Sequence, residues 1–274
     1  MTPIALLGIP NDENSSYLRG PAQAPAAIRR ELFSDAYAQC SESGVDLSAP
    51  GRWIDHGDVR FDAGGDPWAL IEAAVDRALE PGHRLISLGG DHAVTHPILR
   101  AVRRRHRRLT IVHVDAHPDI YDAYQGNPRS HASPFARIME EGLADRLIQV
   151  GLRAIGAEHR AQFRRFGVET VSAAQWTGEL RLQVEGPVYL SLDLDALDPA
   201  FAPGVSHREP GGATPRQVID LIHRLEGHLV AADVVEYNPS CDIQGTTALV
   251  AAKLVKEIAG ILAGGTRAAA HLAA

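Results

Sequence analysis

Three short segments of the chain carry histidines and carboxylates at spacings that suit metal binding. They are Gly89-Gly90-Asp91-His92, Asp115-Ala116-His117-Pro118-Asp119 and Asp193-Leu194-Asp195, the last followed by Asp198-Pro199. In extended chain, alternate side chains share a face, so Asp115, His117 and Asp119 can converge on one point, as can Asp193 and Asp195. Pro118 ends strand pairing and frees its segment to line a site. Burying four carboxylates together without cations would be prohibitive. Six ligands (His92, Asp115, His117, Asp119, Asp193 and Asp195) suit two divalent ions about 3.5–4 Å apart. Hard oxygen plus imidazole, with no thiolate, fits manganese, and nickel, cobalt or iron also fit. A lone strand-end Asp is usually a helix cap, but two clusters with period two are hard to explain that way. Most of the other histidines, such as His56, His83, His106, His159 and His228, read as ordinary core or surface residues.

These segments must sit where strands end. Apolar runs predict strands over Ile4–Ile9, Trp53–Asp58, Arg84–Leu88, Thr110–Val114, Arg146–Gly151, Gly167–Val171, Val188–Leu194 and Leu229–Glu236. Between them, helices are expected over Pro25–Ala38, Pro67–Leu79, Val94–His106, Pro134–Glu141, Ala157–Phe166, Pro215–Leu225 and Thr246–Leu262. Several open with a proline in the first turn, its expected place. The βαβα alternation implies a mostly parallel sheet of about eight strands covered on both faces, in one domain over residues 1–274. In such sheets ligands bind beyond the carboxyl ends of the strands, where the three segments fall. Gly89 and Gly90 are expected to permit a tight turn, and His92 to open the following helix.

Composition narrows the function. With 45% apolar and 22% charged residues among 274, the chain has the profile of a globular enzyme. A net charge of −7 argues against nucleic acid as a partner. The run Arg103, Arg104, Arg105, His106, Arg107 and Arg108 reads as the solvated end of a helix. Only two cysteines occur, Cys40 and Cys241, which suits a reducing cytoplasm. Met1 to Pro10 lacks the pattern of a secretory signal, and no stretch approaches about 18 apolar residues, so no membrane partner is expected. The C-terminal helix, with Lys253, Lys256 and Glu257, reads as amphipathic.

The segments GGDH (89–92), DAHPD (115–119) and SLDLDALDP (191–199) resemble the three motifs of the ureohydrolase family, the arginases and agmatinases. Further likeness lies in NSSYLRGPAQAPAAIR (14–29), NPRSHASPFARIMEEG (127–142), APGVSHREPGG (202–212) and DVVEYNP (233–239), which look most like plant-type arginases. The resemblance implies a three-layer α/β/α arginase-type domain, assembled as a homo-oligomer, a trimer or hexamer. It implies one Mn2+ held by His92, Asp115, Asp119 and Asp193 and a second by His117, Asp115, Asp193 and Asp195. His131 matches the family's proton-shuttle histidine, and Glu236 the carboxylate that pairs with a guanidinium. The implied reaction cleaves a guanidino group to urea and an amine. The metals lower the pKa of water to supply hydroxide at neutral pH, Glu236 orients the planar cation, Asp119 steadies the tetrahedral intermediate, and His131 relays a proton to the leaving amine.

Arginine is the expected substrate, with agmatine or guanidinobutyrate as the alternative. Animal-type arginases have a small hydroxyl residue where this chain has His207, and a different loop between Asp119 and His131. Arginine carries an α-carboxylate that agmatine lacks, so donors are expected near its tail, with Asn127, Arg129, Ser130, His207 and Arg208 as candidates. Two rivals are the metal-dependent deacetylases of the same fold, which use one zinc, and a non-catalytic metal-binding relative. The six ligands together with Glu236 and His131 speak against both.

Overall fold

The computed structural model describes residues 2–62, 64–80 and 82–264. Its centre is one eight-stranded sheet: β1 (Ile4–Gly8), β2 (Trp53–Asp58), β3 (Arg84–Leu88), β4 (Thr110–Val114), β5 (Arg146–Leu152), β6 (Glu169–Ser172), β7 (Val188–Asp193) and β8 (Leu229–Val235). The order is β2-β1-β3-β8-β7-β4-β5-β6, and every pairing is parallel. Seven helices cover it: α1 (Ala24–Leu32), α2 (Pro67–Leu79), α3 (Thr95–Arg103), α4 (Pro134–Glu140), α5 (Ala157–Phe166), α6 (Pro215–Arg224) and α7 (Thr246–Leu262).

Alternation along the strands sends side chains into two separate cores. Ile4, Leu6, Val112, Val114, Leu190 and Leu192 pack with α1, α6 and α7 on one face. Ala5, Leu7, Ile111, Tyr189 and Ala231 pack with α2, α3, α4 and the inner side of α5 on the other. The crossovers that move one way along the sheet carry α1 and α6, and those that move the other way carry α2, α3, α4 and α5. A single crossover hand requires that segregation. The four strands β3, β8, β7 and β4 lie side by side at the centre, so their carboxyl ends form one continuous ledge.

Several elements differ from the sequence expectation. Helix α1 stops at Leu32 rather than Ala38, because Ser34 Oγ accepts from Ala36 N and Gln39 Nε2 donates to the Leu32 carbonyl. Such local side-chain bonds compete with helix continuation. Before α3, His92–Val94 form a 3-10 turn capped by Asp91, whose carboxylate accepts from Ala93 N. Gly89 and Gly90 serve close approach rather than a turn: a Cβ on Gly90 would sit 1.8 Å from the Asn11 carbonyl, and one on Gly89 2.6 Å from Val235. The arginine run ends α3 and finds acidic neighbours, Arg103 with Asp145 and Arg104 with Glu72 and Asp76. Helix α7 is not amphipathic in the expected sense, since Lys256 and Glu257 are both buried. Both cysteines are free, and no helix among the described residues is long and apolar enough to cross a membrane.

Candidate active site and metal centre

The central ledge gathers the predicted ligands. His92 follows β3, the segment Asp115–Asp119 follows β4, Asp193 ends β7 and Asp195 lies in the next turn. His92 Nδ1 lies 3.3 Å from Asp115 Oδ2, 3.1 Å from Asp119 Oδ2 and 3.1 Å from Asp193 Oδ2. His117 Nδ1 lies 3.5 Å from Asp115 Oδ1 and 3.0 Å from Asp195 Oδ2. Two groups result, His92 with Asp115, Asp119 and Asp193, and His117 with Asp115 and Asp195, each with donor atoms within 4.8 Å of one another. Asp115 belongs to both and offers a different oxygen to each.

Main-chain donors aim these carboxylates. Asp115 Oδ1 accepts from His117 N, Asp193 Oδ1 from Asp195 N, and Asp195 Oδ1 from Ala116 N. Asp119 and Glu236 both adopt positive φ, 45° and 62°. That costs a non-glycine residue about 1 kcal/mol or more and concentrates at functional sites. Burial together with the neighbouring Asp195 and Asp115 charges pushes the Asp193 carboxyl well above its ordinary range. Burial and Asp115 push Asp195 up to about 7. Hard oxygens and imidazoles crowded to the point of resisting ionisation are the donor set a divalent cation relieves. The cluster is therefore able to bind metal.

Beside it stands a second group. Glu236, just past β8, accepts from His92 N through Oε1, and the same oxygen is 2.8 Å from His131 Nδ1. His131 Nε2 in turn lies 2.8 Å from Ser16 Oγ. Burial pushes the His131 imidazole down, but Glu236 outweighs it and raises His131 to about 9. His117, Asp119, Asp193 and Asp195 of the cluster line one cavity of about 220 Å³ together with His131, Glu236, Ser16, Tyr121, Tyr124, His159, His207 and Glu209. His207 stacks on His131 at 5.5 Å between centroids and meets the edge of His117 at 5.9 Å.

The structure does not bring Asn127, Arg129, Ser130 or Arg208 to this cavity's lining. Arg129 turns outward, paired with Asp66 and lying over the Trp68 ring. Arg208 donates to the carbonyls of Pro203 and Cys241. Asn127 bonds Asn14, and Ser130 Oγ accepts from Ala132 N, so both shape the loop that carries His131. Conversely, His159 lines the cavity although the sequence offered no reason to separate it from the other histidines; its Nδ1 accepts from Gly156 N, and its Nε2 is buried without a partner. Beneath the ligands, His92 Nε2 contacts Ser191 Oγ at 2.9 Å, and Ser191 donates to Asp233, which also accepts from Tyr189 and Thr95. A polar residue inside an otherwise apolar strand, such as Asp233 in β8, was the available signal for that layer.

This chain belongs to the arginase family, whose model matches residues 2–260. It is 46% identical to the mitochondrial arginase 1 of Arabidopsis thaliana over 93% of its own length and 80% of that protein's. The solved arginase of Medicago truncatula superposes with a TM-score of 0.87 at 41% identity, covering 95% of this chain and 87% of that one. A guanidinobutyrase of Pseudomonas aeruginosa is 36% identical over 96% of this chain and 87% of its own length. The cytoplasmic location expected from the sequence does not stand, because several similar arginases are named as mitochondrial or as chloroplastic and mitochondrial. Few cysteines indicate a reducing milieu but do not say which compartment provides it.

Proposed function

We propose that the protein is an arginase, hydrolysing the guanidino group of arginine to urea and ornithine with two Mn2+ ions. The observation that carries this reading is the shared cavity: four residues of the metal-binding cluster and the carboxylate of Glu236 line the same space, in a chain 46% identical to an arginase. His92, Asp115, Asp119 and Asp193 would hold one ion, and His117, Asp115, Asp193 and Asp195 the other. When bound, such ions activate water as a nucleophile at neutral pH.

The protein's own groups supply orientation and protons. Glu236 receives the planar guanidinium through charge-assisted hydrogen bonds. Substrate then takes the place His131 holds as the counter-ion of Glu236, which weakens the hold of His131 on its proton. That proton is then available to the leaving amine. Asp119, buried at the cavity wall, steadies the tetrahedral carbon. At the substrate's tail, His207, Tyr121, Tyr124, Ser16 and His159 offer N–H and O–H donors for a carboxylate; Asn127 and Ser130 act through the loop they shape. A homo-oligomer, trimer or hexamer, and a single domain over the whole chain accompany this proposal.

The test is urea release by the manganese-loaded protein from arginine, agmatine and guanidinobutyrate side by side. Arginine is expected to give the highest kcat/KM. A preference for guanidinobutyrate, the substrate in the name of the Pseudomonas relative, would keep the chemistry and replace the substrate. No urea from any of the three would overturn the reading.

A further inference from the structure

We infer that His113 and Gln149 are a positioning pair that sets the Asp115 carboxylate and the turn after it, and that His113 itself binds no ion. This rests on the metal-binding reading of the cluster. His113 is fully buried on β4, two residues before Asp115, with its ring stacked on Phe135 and meeting the edge of His92. Its Nε2 lies 2.8 Å from Asp115 Oδ2. By distance alone it qualifies as a ligand, since His92, His113 and Asp115 form a third compact donor group.

Gln149 decides otherwise. It faces His113 across the β4–β5 pairing, and its Nε2 lies 2.6 Å from the Pro118 carbonyl and 3.0 Å from His113 Nδ1. Only an N–H can donate to that carbonyl, so the orientation of the amide is set. Flipping it would set two oxygens against each other; the present orientation holds although Gln149 Oε1 is buried without a partner. The second N–H of the same amide then points at His113 Nδ1, which must be the acceptor. The ring proton therefore sits on Nε2 and is donated to Asp115 Oδ2. A nitrogen that carries a proton has no lone pair for a cation.

The pair grips the ligand segment at two points. Through His113 it orients the oxygen of Asp115 that faces His92, and through Pro118 it anchors the turn between His117 and Asp119. Groups that orient metal ligands in this way change affinity by about 10–100-fold when removed.

The experiment titrates Mn2+ into the metal-free protein by calorimetry for the wild type, His113→Phe, His113→Gln and Gln149→Met. His113→Phe and Gln149→Met are expected to weaken binding by about 10–100-fold, and His113→Gln, which keeps an N–H donor, to recover most of it. Pulsed EPR of the loaded wild type with 15N-histidine is expected to show the imidazoles of His92 and His117 alone. A third coordinated imidazole, or wild-type affinity in both weakened variants, would overturn the inference and leave the metal-binding reading intact. A wild type that binds no Mn2+ would overturn both. Thermal melting of each metal-free variant checks its fold, and Gln149→Met carries the test if His113→Phe is unstable.

Discussion

Two sites with buried carboxylates in this protein are neutralised in opposite ways. Between α6 and α7, fully buried Glu257 accepts from His223 Nε2, Lys253 Nζ and Glu42 N. Glu42 itself pairs with Arg216 and Lys253. Burial opposes ionisation of Glu257, yet His223 and Lys253 hold its carboxyl below the ordinary range. At the sheet's carboxyl edge, burial and neighbouring carboxylates push the other way: Asp195 and Asp115 raise Asp193, and Asp115 raises Asp195. The first group is closed by the protein's own cations and only stabilises. The second lacks enough of them, and that imbalance is what makes it a site for an external cation.

The largest effect expected from breaking this contrast is on catalysis. Asp193→Asn should lower kcat for urea release on the order of 10³-fold, the several kcal/mol that metal-assisted chemistry supplies. The melting temperature of the metal-free protein should not fall, because a like-charge contact is relieved. A metal-free protein destabilised by this change would mean the aspartates are structural. Next comes Glu257→Gln, expected to cost about 3 kcal/mol of unfolding free energy in urea titrations by leaving its partners uncompensated, with kcat unchanged. A loss of activity without a loss of stability would undo the division between the groups.

A smaller effect concerns acid. Arg216, with Lys253, holds the Glu42 carboxyl down to about 2 from an ordinary 4.5. Between those values the unfolded chain binds the proton and the folded one does not, so stability falls as pH falls. That contribution is complete above about 4.5 and is lost as pH drops through about 2. The urea midpoint of the wild type should therefore drop more between pH 5 and pH 3 than that of Glu42→Gln; parallel drops would remove Glu42 from the account. The smallest effect is expected at Arg129, held by Asp66 and Trp68 away from the cavity. Arg129→Ala should change KM for arginine by less than about 2-fold, as for surface substitutions generally, and a larger rise would return it to the substrate's tail.

Much of the scaffold was legible in the chain. Among the described residues, each of the eight strands and seven helices overlaps a segment that apolar runs and, for several helices, first-turn prolines mark, because period-two burial and proline placement are local properties. The exceptions are instructive. Helix α1 is shorter than its pattern predicts, because the Ser34–Gln39 stretch, compatible with a helix in sequence, bonds its own backbone instead. Glu257 is buried although its helix pattern suggests exposure, because His223 arrives from α6 and the backbone N–H of Glu42 from a distant loop to join Lys253 on its own helix.

The sequence by itself determined the six candidate ligands, since each cluster is a few residues long and strand geometry gives its side chains a common direction. Through its likeness to a family, it also singled out His131 and Glu236. Only the tertiary structure decided which of the loop residues 120–131 reach the cavity, that His159 does, and that His113 points its proton at Asp115. Those outcomes depend on which strands become neighbours and on which hydrogen bond each ring and amide makes there. A pairing such as His113 with Gln149 joins residues 36 apart in the chain, and no local spacing encodes it.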